Sequence, residues 1–243
     1  MLTHSTRIAV VGNGRLGRAM AAALAEAGFP VAGPLGRGAS GADAEVVLLC
    51  VPDGAIADAA RCVAEGRLVG HCSGATTLAP HEGFSLHPLM TVSERTTRFA
   101  GAGCAVAGTT ERARTVATEL GLALGMRPFA VADADRPLYH AAASVASNYV
   151  VTLAGIAEQL AARAGVPREL LAPLAEAAID QWRRRGAREA LTGPIVRGDV
   201  ETVRRQREAV AAQAPDALAA WDALAERTGV LARTGSALEE RPR

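Results

Sequence analysis

The sequence contains no lysine: all 26 of its basic side chains are arginine. A Schiff-base lysine, a P-loop lysine and a lysine acid or base are therefore excluded. Arginine cannot take over proton transfer, because it stays protonated at any working pH. Aromatic residues are scarce, at 3%, and no run approaches the roughly 18 consecutive apolar residues that a membrane span needs. Neither sign of charge dominates. The 26 arginines face 25 acidic side chains, for a net charge of +1, so there is no basic footprint for a nucleic acid. The four cysteines, Cys50, Cys62, Cys72 and Cys104, sit at spacings of no zinc or redox motif. They read as reduced thiols of a cytoplasmic protein. His71, Cys72, His81 and His87 fit no ligand pattern either, and no metal is expected. Met1–Thr6 leads directly into a strand-like run, which reads as a chain without a signal peptide. What remains is an ordinary globular composition, 49% hydrophobic and 21% charged over 243 residues, rich in alanine and arginine as a GC-rich coding habit would make it.

The chain changes texture part-way along. Up to about residue 131, short β-branched runs alternate with alanine-rich helical stretches. Arg7–Val11, Val31-Ala32, Val46–Val51, Leu68–Cys72, Cys104–Ala107 and Pro128–Val131 read as strands. Helices are predicted from the first glycine-rich turn to about Gly28, at 54–65 and at 111–123. Val46–Val51 is apolar without interruption, as a parallel strand covered on both faces should be. The alternation implies βαβ units and a doubly wound, mostly parallel sheet. After Ala132 the strand signal stops. A helix is predicted from about Asp135 to Ala164, on the order of 45 Å long, ended by Gly165 and Pro167. Helices near 168–185, 199–213 and 216–228 follow. The expected fold is thus α/β: a Rossmann domain over 1–131 and an all-α domain over 132–243.

Gly12-Asn13-Gly14-Arg15-Leu16-Gly17 reads G-x-G-x-x-G directly after a predicted strand and at the start of a predicted helix, the context that gives the pattern meaning. Gly12 permits the tight turn, Gly14 lets a pyrophosphate approach the backbone, and Gly17 lets helix and strand pack closely. The helix start then offers unpaired N–H groups to phosphates. An NAD site carries an acidic residue about 20 positions on, at the end of the second strand. Here that stretch is Gly33-Pro34-Leu35-Gly36-Arg37-Gly38, which lacks an acid and offers Arg37 to a 2′-phosphate. NADP(H) is the expected cofactor. Arg15 is placed near the adenine or that phosphate, and Val51 and Pro52, closing the next strand, complete the cofactor set.

Ligands of an open α/β sheet sit beyond the carboxyl ends of its strands. Ser73 and Gly74 end one strand, and their backbone N–H groups are candidates to hold a substrate carboxylate. Phe84–Leu89, read as a loop, contains His87 locked before Pro88. His140, Ser144 and Asn148, four apart, share one helical face. That polar stripe crosses an apolar helix and must be satisfied by protein or ligand. Tyr139 and Tyr149 read as packing residues with a hydroxyl at the surface. In the inter-helix loop Leu191–Asp199, Asp199 is placed as a helix cap and Arg197 as a bidentate carboxylate ligand.

Together the Gly12–Gly17 turn, His71-Cys72-Ser73-Gly74, Ser85-Leu86-His87-Pro88-Leu89, Tyr139–Ala143 with Ser147-Asn148-Tyr149, and Leu191–Asp199 resemble one family. It is the Rossmann-like oxidoreductases whose C-terminal half is a domain of unknown function (number 2520). That family is distantly similar to the 6-phosphogluconate dehydrogenase group, which includes ketopantoate reductases, pyrroline-carboxylate reductases and β-hydroxyacid dehydrogenases. The His-Pro pair also resembles that of prephenate and arogenate dehydrogenases. β-Hydroxyacid dehydrogenases carry a lysine four residues before an asparagine on the interdomain helix. Asn148 matches the asparagine, and Ser144 stands where the lysine would be.

The resemblance implies NADP(H)-dependent reduction of a carbonyl or, less readily, an imine on a small carboxylate substrate such as ketopantoate, by a homodimer built on the helical part. The charge developing on oxygen needs a proton donor with a pKa near working pH. His87 is the first candidate and His140 its competitor, with Ser144 and Asn148 orienting the carbonyl. The alternative is a non-catalytic NADP-binding regulatory or scaffold protein, in which the histidines are dispensable.

Overall fold

The computed structural model describes residues 2–78, 83–93 and 98–237; His81 lies outside them. The chain forms two compact units, Met1–Ser147 and Asn148–Arg243. The first carries strands β1 (Ile8–Val11), β2 (Val31–Leu35), β3 (Val46–Leu49), β4 (Leu68–His71), β5 (Gly83–Leu89), β6 (Gly103–Gly108) and β7 (Arg127–Ala130), with helices α1 (Arg15–Glu26), α2 (Ile56–Cys62), α3 (Glu111–Ala123) and α4 (Arg136–Ser144). The seven strands make one sheet in the order β2-β1-β3-β4-β5-β6-β7. Every neighbouring pair is parallel except β5 with β6. The fold is the expected α/β Rossmann-like one.

Both faces of the sheet are covered, which is why β1 and β3 are apolar at every position and buried throughout. On one face Met20 and Leu24 of α1 and Val116 and Leu120 of α3 pack over Ile8, Val10, Leu48, Phe84 and Leu86. On the other, Ile56 of α2 packs with Ala9, Val11, Val47 and Leu49. Two strands differ from the sequence reading. β2 runs on through Gly33 and Pro34 to Leu35, at the edge of the sheet where a missing N–H is tolerated. The stretch around His87, expected to be a loop, is strand β5, paired with β6 from Phe84 to Leu89. β4 pairs with it only as far as Ser85, so the proline-bearing half has β6 alone as neighbour.

All described elements after β7 are helical. The long helix expected over 135–164 is α4, then a π-helical turn at Val145–Tyr149, then α5 (Val150–Arg163). The second unit continues with α6 (Ala172–Arg185), α7 (Ala187–Ala190), α8 (Pro194–Arg197), α9 (Val200–Gln213) and α10 (Leu218–Thr234). The loop expected at 191–199 thus contains one short helix, entered at Gly193 and left at Gly198, both with positive φ. Asp199 caps α9 as expected, accepting from the Thr202 N–H at 3.0 Å.

Candidate active site

β2 lies on one side of β1 and β3 on the other, so the winding reverses between β1 and β3. Open α/β sheets bind ligands at such a point, and the Gly12–Gly17 turn stands there. Gly12 has φ +119°, and a Cβ on it would lie 2.2 Å from the Cys50 carbonyl oxygen. A Cβ on Gly17 would lie 1.8 Å from the Gly12 carbonyl oxygen. Gly14 is the opposite case, with nothing within 4 Å of its Cβ position. No side chain caps α1, whose N-cap residue is Gly14. An uncapped helix start behind an open backbone approach is what a diphosphate requires.

A pocket of about 570 Å³ opens from this turn, lined by Gly12, Asn13, Gly14, Arg37, Gly38, Val51 and Pro52 among others. Gly12, Asn13, Gly14, Val51 and Pro52 of the sequence-derived cofactor set therefore meet Arg37 around one cavity, while Gly17 is buried behind the turn. Leu16 instead packs against the core. Arg15 borders a separate groove along α1 with Arg18 and Ser93.

A second cluster lies at the carboxyl ends of β4 and β5, closed by α4. The Tyr139 hydroxyl is 2.7 Å from His87 Nδ1, and the two rings meet edge to face. The His140 ring is 6.2 Å from that of His87, centroid to centroid. Gly74 faces both imidazoles: a Cβ there would lie 2.8 Å from His87 Cε1 and 3.0 Å from His140 Cδ2. Beneath them Arg136, only 2% exposed, donates from Nε to Asp133 Oδ1 at 2.6 Å, from Nη1 to the Ser73 carbonyl at 3.5 Å, and from Nη2 to Ser85 Oγ. It ties the ends of β4 and β5 to the start of α4.

His87, His71 and Tyr139 are held in their uncharged forms at neutral pH. Burial first, then the neighbouring His140 and Arg136, holds His87 down at about 4. Burial, then Arg136, holds His71 at about 4 as well. Burial pushes the Tyr139 phenol up to about 12. His87 is therefore a neutral imidazole at neutral pH, not the imidazolium acid that the sequence suggested. Tyr139, expected only to pack, carries the protonated group beside it.

Two further expectations change. The Ser73 N–H is not free for a carboxylate: it donates to His71 Nδ1 at 3.2 Å, and Ser73 Oγ accepts from the N–H groups of Ala75 and Thr76. The stripe His140, Ser144, Asn148 is not a buried one. Ser144 is half-buried and Asn148 is exposed in the π-helical turn, where i→i+5 pairing breaks the four-residue register. Asn148 and Arg197 belong to the second unit, and Arg197 ends α8 with its side chain exposed.

Residues 102–228, just over half of the chain, match the family described as a domain of unknown function (DUF2520). The chain belongs to that family. The DUF2520 chain also resembles solved structures. It aligns with a Bacteroides fragilis protein provisionally named an NADP oxidoreductase (TM-score 0.79, 19% identity, 93% of this chain and 99% of that one). It aligns equally with protein TM1727 of Thermotoga maritima (TM-score 0.79, 22% identity, 94% and 99%). An imine reductase of Streptomyces aurantiacus follows at TM-score 0.65 and 15% identity, over 95% of both chains. No curated protein matches the chain in sequence. Within the DUF2520 chain the sequence reading missed Arg136 and Tyr139. The signal was available for both: Tyr139 stands one position before His140, on a neighbouring helical face, and Arg136 stands four positions before it, on the same face.

Proposed function

We propose that the chain is an NADP(H)-dependent oxidoreductase that reduces the carbonyl of a small carboxylate-bearing substrate, a 2-oxoacid such as ketopantoate being the type. The observation that carries the reading is the glycine cradle at the sheet's switch point, open at Gly14 and facing an uncapped helix start. The name of the Bacteroides fragilis relative and the family's resemblance to ketopantoate reductases agree with it. NADP(H) is favoured over NAD(H) because Arg37, and no acidic residue, borders the pocket from the loop after β2. When bound, the coenzyme supplies hydride to the carbonyl carbon. The chain's own part is to orient the carbonyl, exclude water and hold a proton beside the oxygen.

The dinucleotide binds within 1–131, and 132–243 serves substrate binding and dimerisation. Ser144 orients the carbonyl. A homodimer is supported by the large apolar side chains exposed on the second unit, among them Leu174 at 70% and Val200 at 76%. Free thiols, with Cys50 and Cys72 hydrogen-bonded sulfur to sulfur at 3.6 Å and not joined in a disulfide, suit the cytoplasm.

The test has two parts. In calorimetry Arg37→Ala should weaken NADPH by about tenfold or more, the cost of roughly one charge-assisted bond, and leave NADH nearly unchanged; equal losses would remove Arg37 from the 2′-phosphate. Wild-type protein should oxidise NADPH with at least one member of a panel of 2-oxoacids and carboxylated cyclic imines. Tight NADPH binding without turnover of any of them would favour the non-catalytic reading.

A further inference from the structure

Resting on the reductase reading, we propose that Tyr139 is the proton donor of the reaction and that His87 is the group that restores its proton. The geometry carries this: the Tyr139 hydroxyl sits 2.7 Å from His87 Nδ1, and the two rings meet edge to face, with the imidazole of His87 packed against Gly74. The groups that face His87 are Tyr139, His140 and Arg136 from α4, His71 from β4, and Asp53 from the turn after β3. Burial first, then His140 and Arg136, outweigh the one carboxylate of Asp53 and keep an imidazolium from forming. At about pH 7, a histidine held near 4 is protonated in roughly one molecule per thousand. The phenol is present in full at the same pH.

The step balances without a further reactant. As the carbonyl carbon takes up hydride, the C=O π pair moves onto oxygen, the Tyr139 Oη–H bond breaks, and a new O–H bond forms on the substrate. An alkoxide is the stronger base, so the transfer runs downhill. The tyrosinate left behind is held by the His87 Nδ1–H. That proton then crosses to Oη while Nε2 takes one from water, and proton exchange with water resets the imidazole tautomer. An iminium ion, already protonated, needs no donor when hydride arrives.

The test pairs kinetics with spectroscopy on the full chain, using whichever 2-oxoacid and carboxylated cyclic imine the wild type reduces. Tyr139→Phe should lower kcat for the 2-oxoacid by about 10²–10⁴-fold, leave KM and the NADPH dissociation constant within threefold, and spare any imine reduction. His87→Ala should lower kcat less and make it rise with added imidazole buffer. In ¹⁵N-histidine spectra, the His87 nitrogen shifts should change in Tyr139→Phe while those of His4 stay fixed, with the melting temperature reporting that the variant folds. A Tyr139→Phe enzyme within threefold of the wild-type rate would overturn the proposal. So would a wild type that reduces imines and no oxoacid. Should NADPH bind and nothing on the panel turn over, the reductase reading fails on its own terms, and unchanged His87 shifts in Tyr139→Phe would separately overturn the pair.

Discussion

Gly74 is the residue whose chemistry is least visible in the sequence and most constrained in the structure. Its missing side chain leaves the two imidazoles of His87 and His140 room to stand side by side. Gly74→Ala would place a methyl 2.8–3.0 Å from both rings, so one ring must move. Displacing a catalytic group by about an ångström costs on the order of 10²-fold in rate. Turnover of the 2-oxoacid should fall by that factor with NADPH affinity unchanged, since Gly74 does not border the nucleotide pocket. A variant at wild-type rate would separate the imidazole pair from the chemistry. Arg136 shows the limit of sequence reading at this scale. Among 26 arginines it alone is fully buried among the described residues; its spacing of four from His140 puts it on the polar helical face, but only the fold sets Ser85, the Ser73 carbonyl and Asp133 around its guanidinium.

At the scale of elements, the parts legible in the sequence were those whose periodicity and punctuation agree. β1, the Gly12–Gly17 turn and α1 form one such unit, because the turn chemistry demands glycine at the two positions where a Cβ meets backbone. α3 is another, with Thr110 accepting the Ala113 N–H at its start. β5 was not legible. Its proline argues against a strand, and the sequence does not reveal that β4 stops at Ser85 and leaves that half of β5 with one neighbour. The same limit explains the missed pairing of His87 with Tyr139: the contact joins residues 52 apart and needs β5 to be a strand. The π-helical turn at Val145–Tyr149 was hidden as well, since alanine-rich sequence carries no marker for a one-residue insertion in the helical register.

For the whole molecule, buried His71 and half-buried His87, both neutral, set a pH dependence of stability. His71 and His87 both titrate near 4 in the folded chain and near 6.5 when unfolded. Between those values the unfolded chain binds more protons, so unfolding is favoured as the pH falls through that window and stability is regained above about 6.5. His71 is 6% exposed, and its share of the loss is on the order of 3 kcal/mol across the window. Denaturant midpoints at pH 7, 5.5 and 4.5 should decrease in that order, and a flat profile would show the imidazoles to be solvated. The second unit buries Val210 and Val230 and leaves Leu174, Trp182 and Val200 outward. Sedimentation should find a dimer, and Val200→Glu should shift it towards monomer; a wild type that sediments as a monomer at micromolar concentration would remove the dimer.

Isothermal titration of the full chain with NADPH decides whether the opening βα turn receives a dinucleotide. Saturable heat at one NADPH per chain is expected, tighter than for NADH, and abolished in Gly14→Asp, whose carboxylate would occupy the open approach. Titration without heat, or a Gly14→Asp chain that binds as the wild type does, would show that the turn holds no dinucleotide.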